Sequence, residues 1–248
     1  MPNFTARVLG SGASGFNNTD PTAVNTAILL PLGTVVETRH GRAYRWCLAG
    51  AVDLVAGNTI QSSAIQANHL ANTPPVVAVG ATSFSYTPGN TAGAANLYAE
   101  GYLQVDTTPG NGYTYSIAGH AAITASTAFT LNLSPDDPIQ IALTASARVG
   151  LVANPYKNVI QFPATTPTGT LVGVATYIIT TAQNGWLQTW GPCSVLQSDS
   201  TAVGLALGAP SGTVGAAVAF AAATTEYLGN AMQAVVSGKN NFVFLKLG

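Results

Sequence analysis

LVGVATYIITTAQNGWLQTWGPCSVL, residues 171–196, is the stretch that decides the fold class. Two runs rich in Val, Ile, Tyr, Thr and Trp flank Gln183-Asn184-Gly185. Asn-Gly favours a type I′ turn, because both residues tolerate positive φ. The stretch therefore predicts a β-hairpin turning at Asn184-Gly185. Beyond the turn, period-2 alternation puts Trp186, Gln188 and Trp190 on one face and Leu187 and Thr189 on the other, with Gly191-Pro192 ending the strand. A face carrying two indoles needs a surface to cover it.

Composition says what kind of surface that is. The chain has 248 residues, enough for one all-β domain or two smaller ones with a sizeable core. Only 7% of its residues are charged and 47% are hydrophobic, where an ordinary soluble domain carries about 25% charge. Freely soluble enzymes keep their colloidal stability through surface charge. A chain this neutral points instead to an assembly component, packed against other chains. Net charge is −1, and the eight Lys and Arg are spread along the sequence. Arg39, His40, Arg42 and Arg45 form the one cationic cluster. Nucleic acid is not expected as a partner, since phosphate binding draws on many clustered cations. With no Gly-rich loop leading into a helix, the cluster reads as solvated or subunit-facing charge rather than an anion site.

Cys47 and Cys193 lie in apolar, strand-like runs and are expected to be buried free thiols, with a disulfide between their strands as the alternative. MPNFTARVLGSG at the start has no charged segment ahead of an apolar one, so no secretory signal is expected. The most apolar window, TVGAAVAFAAAT at 213–224, is too short and too rich in Ala for a bilayer span of about 20 residues. No membrane is expected as a partner.

In chain order, residues 1–26 carry scattered Gly, Asn and Thr without periodicity and read as an extended N-terminal arm. Residues 27–75 and 134–248 read as a β body, and 76–133 as a β-rich insert. Residues 61–71 (QSSAIQANHLA) are the best helix candidate, and His69 within them has no second ligand at metal spacing. In the insert, Thr-Pro-Gly-Asn occurs at 87–90 and again at 108–111, giving tight turns at meander spacing. Tyr98, Tyr102, Tyr113 and Tyr115 are candidates for a carbohydrate or protein contact, sheet packing being their ordinary role. Asp136 and Asp137 stand between Pro135 and Pro138, which favours a turn over a calcium or acid/base site. Residues 228–236 and 241–247 read as a closing hairpin. No G-x-S-x-G, H-E-x-x-H, C-x-x-C or P-loop spacing occurs. No enzyme activity is expected, and no catalytic residue, cofactor or metal.

Five stretches carry a family resemblance: LGTVVETRHGRAYRWCLAGAVDLVAGNTIQ (32–61), DDPIQIAL (136–143), VANPYKNVI (152–160), the 171–196 segment, and YLGNAMQAVVSGKNNFVFLKL (227–247). Together they resemble virion structural proteins of tailed bacteriophages, most of all head decoration, or cement, proteins. The resemblance covers most of residues 30–248. It implies an all-β body, an antiparallel β-barrel or sandwich built from hairpins, that sits on the outer surface of the capsid and clamps neighbouring major capsid protein subunits. A homo-oligomer, a trimer, is the expected state. A DNA-filled head is pressurised, and a cement protein strengthens it by bridging subunits over a wide footprint with avidity from several protomers. Arg39, Arg42, Arg45, Tyr98, Tyr102, Trp186 and Trp190 are the candidate contacts with other subunits or the shell. The alternative is a tail- or fibre-associated or host-glycan-binding virion module, motivated by the Tyr-rich insert.

Overall fold

The computed structural model describes residues 7–9, 30–38, 40–222 and 224–248. The expected arm at 1–26 lies outside these apart from one short strand, and Arg39 lies outside them too. The described chain is all-β and antiparallel. Strands β1 (Arg7–Leu9), β2 (Val35–Glu37), β3 (Ala43–Leu48) and β4 (Thr59–Gln61) come first. Next are β5 (Ser83–Tyr86), β6 (Tyr102–Val105), β7 (Thr114–His120), β8 (Phe129–Leu133) and β9 (Val149–Val152). Then follow β10 (Ile160–Gln161), β11 (Leu171–Ala175), β12 (Asn184–Leu196), β13 (Ala206–Ala209), β14 (Val218–Ala219), β15 (Glu226–Ala231) and β16 (Asn240–Lys246).

The chain divides into two compact units, Met1–Ser63 with Pro155–Gly248, and Ala64–Asn154. The smaller unit takes in 64–75 and 134–154 as well as the 76–133 insert, because β9 pairs with β6 and Val149 bridges to Asn72. Its five strands run β5-β8-β7-β6-β9. Alternation builds its core: Phe129, Leu131 and Leu133 of β8 point inward while Thr130 and Asn132 point out. Tyr86, Leu103, Tyr115, Leu143 and Leu151 complete that core. The Asp136-Asp137 pair sits in a turn, where Asp137 Oδ2 accepts the Ser116 N–H at 2.7 Å. The helix expected over 61–71 is absent. Gln61 belongs to β4, and only Ala67–His69 make one 3₁₀ turn, with no side-chain cap on Gln66. Without a cap, so short a helix loses to the extended backbone on either side.

In the larger unit, the main path runs β1-β2-β3-β12-β16-β15-β13-β14, with β11, β4 and β10 branching from β12. The predicted hairpin exists, since β11 pairs antiparallel with β12 through Val174↔Gln188 and Ala175↔Leu187. Its turn is not at Asn-Gly. The chain turns at Thr181-Ala182, with Ala182 at φ 58°, and Asn184-Gly185 open β12. Asn184 is buried with its side-chain amide donating to Cys47 O at 3.1 Å. Gly185 serves close packing, because a Cβ there would sit 2.7 Å from Ile179 Cδ1.

Gly191-Pro192 do not end the strand either. β12 pairs with β3 from Asn184↔Leu48 to Trp190↔Ala43, with a register shift between Gln188 and Trp190. It then pairs with β16 from Trp190↔Lys246 to Leu196↔Asn240. Gly191 adopts φ +85°, and a Cβ on it would lie 2.4 Å from Gly41 O. The bulge resets the alternation, so the single Trp-bearing face is corrected: Trp186 is 1% exposed, Trp190 41%. Trp186 packs on Trp46 with ring centroids 4.8 Å apart, in a core with Leu32, Val36 and Tyr44. The closing hairpin forms, β15 on β16 from Gly229↔Leu245 to Ala231↔Val243, but its first strand ends at Ala231, short of the expected 236.

Gly191→Ala combines a left-handed backbone with a backbone collision, and is expected to lower unfolding free energy by roughly 2 kcal/mol or more. Ser194→Ala, exposed three residues on, is expected to stay within about 0.5 kcal/mol of the parent. Urea denaturation of both variants checks the pair.

Candidate functional site: an aromatic sheet face and two clefts

On β16, Val243 and Leu245 enter the core while Phe242 and Phe244 face outward. Opposite them on β12, Cys193 and Val195 point in, and Pro192 and Ser194 point out. The register sets Pro192 beside Phe244, Ser194 beside Phe242 and Trp190 beside Lys246. Trp190 meets Phe244 edge-on at 5.7 Å and 81°. Phe242 is 51% exposed. The result is a contiguous apolar strip of Trp190, Phe244, Pro192 and Phe242 held on two hydrogen-bonded strands. Scattered exposed apolar residues are normal, but a contiguous patch marks an interaction surface.

Two clefts border the strip. One, of about 520 Å³, is lined by Glu37, Thr38, Arg42, Arg45 and Trp190 among others. The second, of about 320 Å³, includes Arg42, Pro192, Ser194, Asn240 and Phe242. Arg42 thus serves both. A tight turn places it: the Thr38 N–H donates to Arg42 O at 2.8 Å, and the Arg42 N–H to Thr38 Oγ1 at 3.3 Å. Arg42 Nη1 reaches Tyr44 Oη at 3.5 Å. Arg45 is more firmly anchored, donating to Gly33 O at 3.3 Å with its guanidinium 5.5 Å from the Tyr156 ring centre.

Of the candidate contacts, the structure brings Arg42, Arg45 and Trp190 to one cleft. Trp186 and Tyr98 are buried and are corrected to core residues. Tyr98 Oη bonds His69 Nδ1, and the Tyr98 N–H donates to His120 Nε2 at 3.0 Å, so it organises the interior of the smaller unit. Tyr102 is exposed, in the smaller unit, but Tyr115 is buried, so the insert presents no four-tyrosine row. Phe242, Phe244, Glu37 and Thr38 are additions to the sequence reading. In FVFL, 242–245, both alternating sets are apolar, so the pattern cannot say which set faces out. Among the described residues, no three His, Cys, Asp or Glu are grouped to hold a metal ion. No helix among them is long and apolar enough to cross a membrane.

Cys47 and Cys193 are free and buried, in separate apolar clusters. Burial away from water pushes each thiol up to about 12, from an ordinary value of 9.0. Burial likewise pushes the Tyr86 phenol up to about 12. All three keep their protons in the folded chain while the unfolded chain begins to lose them near 9 to 10, so unfolding gains as pH rises through that window. The urea midpoint is expected to hold steady from about pH 7 to 8.5 and to fall progressively above about 9, toward 12. Thiol titration at about pH 8 is expected to find both cysteines unreactive until the chain is unfolded.

No family model, curated protein or solved structure matches the chain, so its role is read from its own surface.

Proposed function

We propose that the protein decorates the outer surface of a tailed-bacteriophage head, binding as a homo-oligomer and stabilising the shell by bridging major capsid protein subunits. The observation that carries this reading is the strip of Trp190, Phe244, Pro192 and Phe242, an apolar face left uncovered on a rigid strand pair in a chain of which only 7% is charged. Interface centres are depleted in charge and enriched in aromatic residues and Arg, and a few such side chains dominate affinity. Strand positions hold these anchors in one geometry, which limits the entropy lost on docking. Several protomers acting together convert a modest contact into tight attachment. The oligomer is expected to be a trimer, and no catalytic role is assigned.

Purified protein is expected to sediment as a closed oligomer and to bind expanded, undecorated heads saturably in fixed copy number. Phe242→Ser, a change on an exposed position, is expected to weaken that binding by about tenfold or more while leaving the fold intact. Heads that take up no saturable complement of the wild-type protein would sink the reading.

A further inference from the structure

The 520 Å³ cleft differs in chemistry from the strip beside it. Its volume falls within the roughly 300–1,000 Å³ range of small-ligand sites. One wall is the Trp190 indole, exposed on the cleft side and steadied by Phe244. Alongside it, among the apolar Val35 and Ala43, the lining carries polar groups of mixed sense. Glu37 only accepts hydrogen bonds, Arg42 only donates, and the Thr38 hydroxyl does both. An aliphatic side chain seated here would strip water from Arg42 and Glu37 and give nothing back. A sugar ring matches both: its C–H face lies against an indole, and each hydroxyl donates and accepts at once.

Charge narrows the class further. The lining holds two cations, Arg42 and Arg45, and one acidic side chain, Glu37, with Gly248 beside them. Arg45 is tied to Gly33 O and Tyr156, whereas among the described residues the side chain of exposed Arg42 makes only the long contact with Tyr44. A planar guanidinium in that position pairs best with a carboxylate, through two parallel hydrogen bonds. We infer that this cleft binds a carboxylate-bearing pyranose, a uronic acid unit of an acidic polysaccharide. Trp190 stacks on the ring, Arg42 takes the carboxylate, and Glu37 and Thr38 take ring hydroxyls. Such binding needs no shell, so it can fail while the decoration reading stands, and the reverse.

The test is a titration of the intact protein with a short galacturonate oligomer, its neutral galactose counterpart and a polyglutamate peptide. Trp46 and Trp186 are buried, so a change in tryptophan emission reports Trp190. Galacturonate is expected to give a saturable blue shift below about 10 mM, with the neutral oligomer about tenfold weaker or worse. Calorimetry is expected to show Arg42→Gln and Trp190→Ala each losing about tenfold or more in affinity, with unchanged far-UV circular dichroism. Three results would overturn the assignment: no saturable response to galacturonate, an equal response to polyglutamate, or undiminished galacturonate binding by well-folded Arg42→Gln.

Discussion

β12 has to satisfy its backbone against different partners along its length. Its first half lies between β3 and β11, its second half against β16, and the change comes at Thr189-Trp190-Gly191. Buried backbone groups without partners are costly, and a register shift in the middle of a sheet exposes several at once. Here one side chain covers them. The buried Gln188 amide donates to Trp190 O at 2.9 Å, Gly191 O at 3.3 Å and Pro192 O at 2.9 Å. Leu247 adds its N–H to Thr189 O at 3.0 Å. The junction still leaves Gln188 Oε1 and Thr189 Oγ1 buried without a protein partner. That marks it as a place where the fold accepts a local cost to join two ladders.

The junction also aims the side chains that make the site. Before it, Trp186 turns inward onto Trp46; after it, Trp190 turns outward onto Phe244. Without the shift both indoles would share a face, and the outer end of the strip would be lost to the core. Pro192 follows directly, paired with Phe244, and contributes an apolar surface with no N–H to satisfy. Gly191 lets the ladder pass Gly41 O at a distance no side chain tolerates, and that brings the turn bearing Arg42 alongside Trp190. Bulges commonly re-aim side chains in this way beside functional sites.

Period-2 patterns were legible wherever one face was apolar and the other was not. The all-β class follows from such patterns together with the tight turns between them, and β8 shows the alternation in the structure. The misreadings have physical sources. Asn184-Gly185 carried a turn signature, but the Asn amide is committed to Cys47 O and the Gly to Ile179, so tertiary packing overrode local preference. Alternation across 186–190 failed because a one-residue shift, invisible in the residue types, moves every later side chain to the other face. Tyr98 reads as an exposed aromatic until His69 and His120, distant in sequence, are seen to hold it. The clustering of Arg42 with Arg45 was apparent, but their meeting with Trp190, some 150 residues on, depended on β3–β12 pairing that no local pattern specifies.

Scarcity of charge makes the placement of each cation informative. Arg148 donates to Ala145 O at 3.1 Å and Ala147 O at 2.7 Å, Lys246 to Asn230 Oδ1 at 2.8 Å, and Arg45 to Gly33 O at 3.3 Å. These three spend donors on their own chain, which fixes where their charges sit. Among the described residues the Arg42 side chain makes one hydrogen bond, of 3.5 Å to Tyr44, and it lines both clefts. An exposed guanidinium beside an exposed indole, on a face that carries few other charges, concentrates the attraction for an anion at one point. Sparse charge over the rest of the face leaves shape and apolar contact to govern docking. On the two proposals, the same sheet offers a broad surface to a protein partner and a narrow, charge-selective site at its edge.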